Sequence, residues 1–216
     1  MGKERIKERF NLEAVNWDTL PRRIEAARAV VENLLPYLKP TDRVLEMGCG
    51  TGLVGLSIAP FVKEVVGIDL SDQMVERFNR KAEELGVKNG KAYHADIYEI
   101  TPEEWGEFDW VISSMTLHHI PDIPRLVAHL SQIAPNVGIA DLVVEDGSFH
   151  TRGNGDVFHF GFRDEELIRW FKPFYPTVEF KIIHTIRKEV KGQKRGYPMF
   201  LLIARRYNAT IVEGEG

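Results

Sequence analysis

The feature that most restricts the fold of this chain is a glycine-rich loop placed directly after an apolar run. Residues 44–52 read VLEMGCGTG, with a glycine at every second position from 48 to 52. Glycine is needed where the backbone turns sharply or approaches a ligand closely, because it carries no Cβ. A strand that leads into such a loop, with a helix after it, is typical of α/β folds that hold nucleotides.

Strand-like and helical segments alternate on both sides of this loop. A helical apolar period covers 21–38, with Asp18 or Thr19 as its predicted cap. Strands are predicted at 43–47, 64–69, 91–95, 108–113 and 137–144, and helices at 53–62, from the Ser71 cap to Leu85, and from Asp122 to Ala134. This alternation predicts a parallel sheet with helices on both faces and right-handed connections.

The pattern changes after Glu145. Residues 146–161 contain four glycines and no period, which predicts a loop, and a helix is predicted at 163–171. Two strand-like runs follow at 177–190 and 197–207, with glycine and basic residues between them. They predict an antiparallel hairpin whose turn spans the six residues between the runs. The predicted fold is therefore a Rossmann-like, mostly parallel seven-stranded sheet with helices on both faces and a C-terminal antiparallel hairpin.

The length of 216 residues fits a single domain with small appendages. The expected divisions are an N-terminal helical cap at 1–38, a main domain at 39–207 and a frayed tail at 208–216. Phe10, Trp17 and the helix after them are expected to cover one side of the ligand, with the 146–161 loop on the other side. The basic residues of the hairpin are interpreted as a solvated edge that blocks sheet-to-sheet pairing, with binding of an anionic substrate or RNA as the alternative.

Composition excludes several classes of function. The net charge of −4 gives no global positive field, so nucleic acid is not an expected partner. Cys49 is the only cysteine, which excludes an internal disulfide and a cysteine-based zinc site, and no metal is expected. The charged N-terminus and the short apolar runs predict neither a signal peptide nor a membrane span. We expect a cytoplasmic monomer or homodimer.

An acidic residue follows the loop at a spacing typical of nucleotide sites. Asp69 lies 21 residues after Gly48, where a carboxylate can accept hydrogen bonds from ribose hydroxyls. The run from Gly50 to Gly55 also fits a dinucleotide fingerprint, which leaves a nicotinamide cofactor as an alternative. Glu46 favours a ligand with an ammonium group over a pyrophosphate. A glycine turn that serves packing alone is the third interpretation.

Four segments resemble the motifs of class I S-adenosylmethionine-dependent methyltransferases. They are residues 44–52, 65–71, 95–97 and 117–122. The resemblance is closest to the small-molecule branch that includes ubiquinone and menaquinone biosynthesis enzymes. It implies S-adenosylmethionine as cofactor and a small-molecule methyl acceptor as partner. The predicted final hairpin agrees with the antiparallel seventh strand of that family.

The resemblance also implies a set of cofactor-binding positions. These are Glu46, Gly48, Cys49, Gly50, Gly52, Asp69, Leu70, Met74, Asp96, Ile97, and Ser113 or its neighbour Ser114. Asp69 would bind both ribose hydroxyls, and Asp96 would accept from the adenine amino group. Leu70 and Met74 would pack against the adenine, although core packing explains them equally well. Glu46 would orient the loop or the methionine ammonium.

Two adjacent histidines, His118 and His119, follow the predicted fourth strand. Ligands of open α/β sheets sit at this carboxyl edge. A base is needed only if the acceptor arrives protonated, and histidine suits that task near neutral pH. Neighbouring residues point in different directions, so we expect one of the two to face the pocket, with His119 favoured, or both to bond to the backbone. Asp141 and His159 are the next candidates.

The sequence favours a methyltransferase that acts on an oxygen, nitrogen or carbon atom of a small molecule. The fourth strand lacks the Asn/Asp-Pro-Pro-aromatic sequence of amino-methylating nucleic-acid enzymes. Carbon-5 pyrimidine methylation needs a nucleophilic cysteine, and Cys49 belongs to the loop. An NAD-dependent dehydrogenase and a non-catalytic S-adenosylmethionine-binding protein remain as alternatives. The short-chain type of dehydrogenase is excluded, because the chain has no Tyr-x-x-x-Lys pair.

Overall fold

The computed structural model describes residues 2–150 and 155–207. The strands are β1 (Arg43–Met47), β2 (Glu64–Asp69), β3 (Gly90–His94), β4 (Trp110–Ser114), β5 (Asn136–Leu142), β6 (Thr177–Val190) and β7 (Gln193–Arg205). The α-helices are α1 (Gly2–Glu13), α2 (Pro21–Leu34), α3 (Gly55–Ile58), α4 (Asp72–Leu85), α5 (Pro102–Trp105), α6 (Ile123–Ile133) and α7 (Asp164–Phe171). The predicted tail at 208–216 and residues 151–154 of the predicted loop lie outside the described residues.

The seven strands form one sheet in the order β3-β2-β1-β4-β5-β7-β6. Neighbouring strands from β3 to β5 are parallel, whereas β7 is antiparallel to both β5 and β6. This arrangement confirms the predicted fold class. The strand order reverses at the β1–β4 pair, and ligands of such sheets bind beyond the carboxyl ends of the strands at this point.

Apolar side chains of the central strands alternate between two layers. Leu45 and Val111 face a layer that contains residues of α6 and α7. Val44 and Ile112 face the opposite layer, which contains Val30 of α2 and residues of α3. Helices therefore cover both faces of the sheet, as predicted. Helix α2 shares this core cluster with the strands of the main domain. The predicted domain boundary after residue 38 therefore stays a prediction.

The start of α2 differs from the prediction. Leu20 precedes the helix and makes no side-chain cap bond. Asp18 accepts a hydrogen bond from the Thr51 hydroxyl at 2.5 Å instead, and the Thr19 hydroxyl donates to the Asn16 carbonyl at 2.7 Å. The two predicted caps are therefore wrong, because both side chains are engaged in other contacts.

Helices α2 and α3 are also shorter than their apolar patterns predicted. Each passes into a 3-10 turn that contains a proline, at Leu35–Tyr37 and Ala59–Phe61. Proline lacks a backbone N–H and crowds the preceding turn, so it ends the α-helical hydrogen bonds early. Helices α2 and α4 have 14 residues each, and no helix in the described ranges is long and apolar enough to cross a membrane.

The C-terminal hairpin is present, but its turn is shorter than predicted. Val190 pairs with Gln193, so only Lys191 and Gly192 form the turn. Their φ angles are +49° and +77°, the left-handed conformation of two-residue turns that match the twist of the strands. The predicted six-residue turn is therefore wrong, and its last four residues belong to β7.

Several basic side chains of the hairpin have partners. Arg195 pairs with Asp146 at 2.7 Å, and Arg205 pairs with Glu179 at 2.7 Å. The Lys188 ammonium donates to the Phe149 carbonyl. The contacts of Arg195 and Lys188 hold the loop after β5 against the hairpin, and the Arg205–Glu179 pair links β7 to β6.

Candidate cofactor and acceptor site

The glycine loop turns over the carboxyl end of β1. The Gly48 N–H donates to the Ile68 carbonyl at 2.9 Å, which joins the loop to β2. Gly48 has a φ of +68°, and a Cβ there would lie 2.2 Å from Thr116 Oγ1. A Cβ at Gly50 would have its nearest neighbour, Trp17 Nε1, at 3.9 Å. The loop is thus fixed at Gly48 and leaves space at Gly50 for the close approach of a ligand.

Asp69 ends β2 beside this loop, as its spacing predicted. One carboxylate oxygen accepts from the Gly50 N–H at 2.9 Å, and the other accepts from the Ser71 N–H at 2.9 Å. Burial raises the pKa of Asp69, although these two N–H groups act in the opposite direction. The carboxylate therefore fixes the loop at Gly50, and its contact with ribose hydroxyls stays a prediction.

Glu46 lies beneath the loop. Its side chain is 2 % exposed, and Oε2 has no hydrogen-bond partner among the described residues. A Cβ on Gly55 would lie 2.2 Å from Oε2, so the carboxyl group faces the start of α3. Burial raises the pKa of Glu46 to about 8. This carboxyl group is therefore protonated at neutral pH, and its role in orienting the loop or the methionine ammonium stays a prediction.

The residues predicted to surround the adenine follow β2 and β3. Leu70 is half-buried, whereas Met74 and Ile97 are buried. The Asp96 carboxylate accepts from the Tyr98 N–H at 3.1 Å and so caps a short 3-10 turn. Core packing and capping account for the positions of Met74, Ile97 and Asp96, so their cofactor contacts stay predictions.

Two further predicted residues direct their side chains inward. The Cys49 thiol is buried near Gly67, and burial raises its pKa. The Ser113 hydroxyl donates to the Met47 carbonyl at 3.0 Å and so links β4 to β1. Ser114, the other serine at the end of β4, is half-buried.

A 3-10 turn over Leu117–His119 follows β4 and brings His118 to Asp141 of β5. His118 Nδ1 lies 2.8 Å from Oδ1 and 3.0 Å from Oδ2, and the His118 backbone N–H donates to Oδ2 at 3.2 Å. Because a carboxylate accepts at Nδ1, the neutral ring carries its proton there and keeps a lone pair on Nε2. His118 and Asp141 are both buried. They form an imidazole–carboxylate pair at the carboxyl edge of the sheet.

His119 has a different partner. Its Nδ1 donates to the Asp156 carbonyl at 2.7 Å, and the Phe10 ring packs edge-on at 5.4 Å between centroids. Burial lowers the pKa of His119 to about 4, and electrostatic repulsion from the neighbouring His118 adds to this effect. The ring centroids of His118 and His119 are 4.2 Å apart, so the two imidazoles are direct neighbours. His159, a further candidate, bonds through Nε2 to the Ile120 carbonyl at 3.0 Å.

A third histidine joins this pair, and sequence reasoning missed it. His150 lies in the loop after β5, with its ring centroid 4.8 Å from that of His118 and 6.1 Å from that of His119. Burial lowers the pKa of His150 to about 3. No sequence signal identified it, because the loop has no period and His150 follows His118 by 32 positions.

The N-terminal segment, which comprises α1 and the 3-10 turn Ala14–Thr19, lies over the loop and the histidines. Asn11 Oδ1 accepts from the Ser71 hydroxyl at 2.5 Å. Asp18 pairs with Lys81 at 2.5 Å, and Arg9 pairs with Asp156 at 2.7 Å. These polar contacts attach the segment to both sides of the site.

The family model described as "Methyltransferase domain" matches residues 44–138, which include the glycine loop, Asp69 and both adjacent histidines. The match identifies a methyltransferase domain in this chain, with the motifs and fold of class I S-adenosylmethionine-dependent methyltransferases. The match favours S-adenosylmethionine over the nicotinamide cofactor that the Gly50–Gly55 spacing left open. S-adenosylmethionine is the cofactor of the family.

Two curated relatives match a longer part of this chain than the family model does. An uncharacterized methyltransferase of Schizosaccharomyces pombe is 31% identical over 147 residues, which cover 60% of this chain and 51% of that protein. A ubiquinone biosynthesis O-methyltransferase of Bordetella pertussis is 29% identical over 134 residues, 59% of this chain and 55% of that protein. The chain thus spans about half the length of these two curated relatives.

A solved structure confirms the fold over nearly the whole chain. Magnesium protoporphyrin IX methyltransferase from Synechocystis, crystallised with bound S-adenosylmethionine, superimposes with a TM-score of 0.65 at 17% identity. The superposition covers 94% of this chain and 97% of that chain.

The residues around the loop of this methyltransferase fit the chemistry of S-adenosylmethionine. Gly50 leaves room for close approach, and Asp69 offers carboxylate oxygens that suit vicinal ribose hydroxyls. Within the described ranges, no group of three or more histidine, cysteine, aspartate or glutamate side chains is arranged to hold a metal ion. Gly50 and Asp69 therefore fit an organic ligand with hydroxyl groups.

The buried Glu46 carboxyl gives the stability of this methyltransferase a specific pH dependence. Its pKa rises from 4.5 to about 8 on folding, so the folded chain holds a proton that the unfolded chain releases between these values. Stability should therefore fall as the pH rises through this window. Glu46→Gln should flatten the profile and stabilise the protein by ~2–4 kcal/mol near pH 8. Urea unfolding of both proteins across the window measures this, and parallel profiles would contradict it.

Proposed function

We propose that this chain transfers a methyl group from S-adenosylmethionine to a hydroxyl oxygen of a small-molecule acceptor. The observation that carries the proposal is the pair of His118 and Asp141, 2.8 Å apart at the carboxyl ends of β4 and β5. An oxygen acceptor arrives as a protonated hydroxyl, so its methylation needs a base, which this pair supplies. The name of the O-methyltransferase relative from Bordetella pertussis agrees with an oxygen acceptor.

S-adenosylmethionine, when bound, supplies a methyl group already activated by a positively charged sulfur. The chain has to hold the acceptor in line with that methyl group and remove the hydroxyl proton. His118 receives the proton at Nε2 because Asp141 fixes the other ring nitrogen as the donor. Asp69 and the loop around Gly50 hold the ribose end of the cofactor. The N-terminal segment keeps water out of the site.

Asp141 keeps its charge in spite of full burial. Burial by itself would raise the pKa of Asp141, but the nearby imidazole and backbone N–H of His118 and the backbone N–H of Leu142 lower it below the ordinary value. An ionised carboxylate stabilises the imidazolium that forms when His118 takes the proton. His119 bonds to a neutral carbonyl instead, and its pKa of about 4 makes it a weak base. We therefore assign the role of base to His118, whereas the sequence pattern favoured His119.

The first test of this function is cofactor binding. Calorimetry with S-adenosylmethionine, S-adenosylhomocysteine and NAD should give binding of the two sulfur compounds and none of NAD. The second test is a screen of phenols, alcohols, amines and activated carbon acids that detects release of S-adenosylhomocysteine. Mass spectrometry and NMR of the product should place the methyl group on oxygen. Methylation of amines or carbon acids alone would overturn the oxygen assignment, and cofactor binding without turnover would favour a non-catalytic binding protein.

A further inference from the structure

The three histidines His118, His119 and His150 form what we call the histidine cluster. The Nδ1 atoms of His118 and His119 are bonded to Asp141 and to the Asp156 carbonyl. His150 differs, because its Nε2 is buried and has no hydrogen-bond partner within the described part of the chain. Buried polar atoms without a hydrogen-bond partner are rare in folded proteins, so the unpartnered Nε2 needs an explanation. A bound ligand that completes the bond is such an explanation.

The surroundings of His150 restrict what this ligand is. The ring of Phe149 packs edge-on against His150 with centroids 5.0 Å apart, and Phe10 does the same to His119 at 5.4 Å. Arg9, a positive side chain that acts on His150, is already paired with Asp156, and Lys188 donates to the Phe149 carbonyl. The carboxylate of Asp141 is paired with His118. An anionic acceptor would find no free cation in this group of residues. The cluster therefore suits an uncharged acceptor between aromatic edges.

The distances within the cluster indicate how the acceptor is held. The ring centroids of His118 and His150 are 4.8 Å apart, so the groups of a ligand that bond to the two imidazoles are close neighbours. Two oxygens that neighbour each other at about 2.7 Å can each meet one imidazole. A hydroxyl group also matches either tautomer of His150, since it both donates and accepts.

We propose that His150 binds the methyl acceptor through Nε2, at an oxygen next to the hydroxyl that His118 deprotonates. The acceptor class is then an uncharged compound with two adjacent oxygen functions, of which one becomes methylated. This inference rests on the proposed function, because it takes His118 as the base. His150 makes its contact with the acceptor and none with the cofactor.

Catechol and phenol are matched probes, because they differ only in the second oxygen. In the full chain with S-adenosylhomocysteine, catechol should bind more tightly than phenol and shift the Nε2 resonance of His150 in nitrogen-15 NMR. His150→Phe keeps an aromatic ring and should weaken catechol binding about tenfold, with little change for phenol. His150→Gln should recover part of the loss. His184→Gln, at the bulge of β6 far along the hairpin, is the matched control and should change neither affinity.

Cofactor affinity and thermal unfolding of each variant separate this inference from simple misfolding, since both should match the wild type. Equal weakening of catechol and phenol, or catechol affinity within twofold of the wild type, would overturn the role of His150. Failure of catechol to bind at millimolar concentration would overturn the acceptor class. The proposed function fails separately, if His118→Asn leaves methyl transfer to oxygen unchanged or if no oxygen acceptor is methylated.

Discussion

Replacement of His118 by asparagine should lower methyl transfer to an oxygen acceptor by about 10²–10⁴-fold, the usual contribution of a positioned base. Asparagine can still donate to Asp141 from nearly the place of Nδ1, so the buried carboxylate keeps a partner. It has no group at the place of Nε2, and the hydroxyl proton then has no acceptor. Cofactor affinity should stay at the wild-type value, because His118 does not contact the glycine loop.

Steady-state kinetics and calorimetry on the same protein samples check this prediction. His184→Gln serves as the control for loss of a half-buried histidine. Retention of more than about a tenth of the wild-type turnover would show that orientation without a base accounts for catalysis.

The elements that the sequence predicted most accurately depend on local signals. Strands β1 and β2 have the predicted bounds, because short apolar runs are enclosed by residues that break strands. Helix α4 begins after Ser71, whose Oγ accepts from the Met74 N–H at 3.2 Å, and ends at Gly86 with a φ of +68°. A cap and a left-handed glycine are both readable from a few neighbouring residues.

The hairpin turn could not be located by the same reasoning. The run from Lys191 to Gly196 contains two glycines and four basic or polar residues, which match a turn and an exposed edge strand equally well. Pairing decides between them, since Gly196 lies opposite Arg187 in the ladder. Register is a property of two strands together, and the sequence of one strand does not contain it.

The site was predicted in its location and only partly in its contacts. The order of strands places the ends of β4 and β5 side by side, which brings His118 and Asp141 to one edge. Their pairing depends on the direction that the 3-10 turn gives to each imidazole, and the spacing of adjacent residues does not determine this. Asp156 and His150 reach the histidines from an irregular loop, where no period indicates which side chains turn inward.

Replacement of Asp69 by alanine should weaken binding of S-adenosylmethionine at least a hundredfold. Two charge-assisted hydrogen bonds to ribose hydroxyls contribute about 1.5–3 kcal/mol each, and the variant loses both. The variant also loses the bonds that the carboxylate accepts from the N–H groups of Gly50 and Ser71, so the loop is less well fixed before the cofactor arrives. Asp69→Asn keeps one acceptor oxygen and should lose less.

Calorimetry with S-adenosylhomocysteine and its 2′-deoxy analogue separates the two causes of this loss. If Asp69 binds the ribose, the analogue should already bind weakly to the wild type, and Asp69→Ala should weaken it much less than the parent compound. If Asp69 acts through the loop alone, both compounds should lose the same factor. Asp109→Ala is the matched control, because that carboxylate also accepts a backbone N–H, from Arg43 at 2.8 Å, but at the amino end of the strands. Its cofactor affinity should equal that of the wild type, whereas equal losses in Asp69→Ala and Asp109→Ala would place the effect in general stability and remove the ribose assignment.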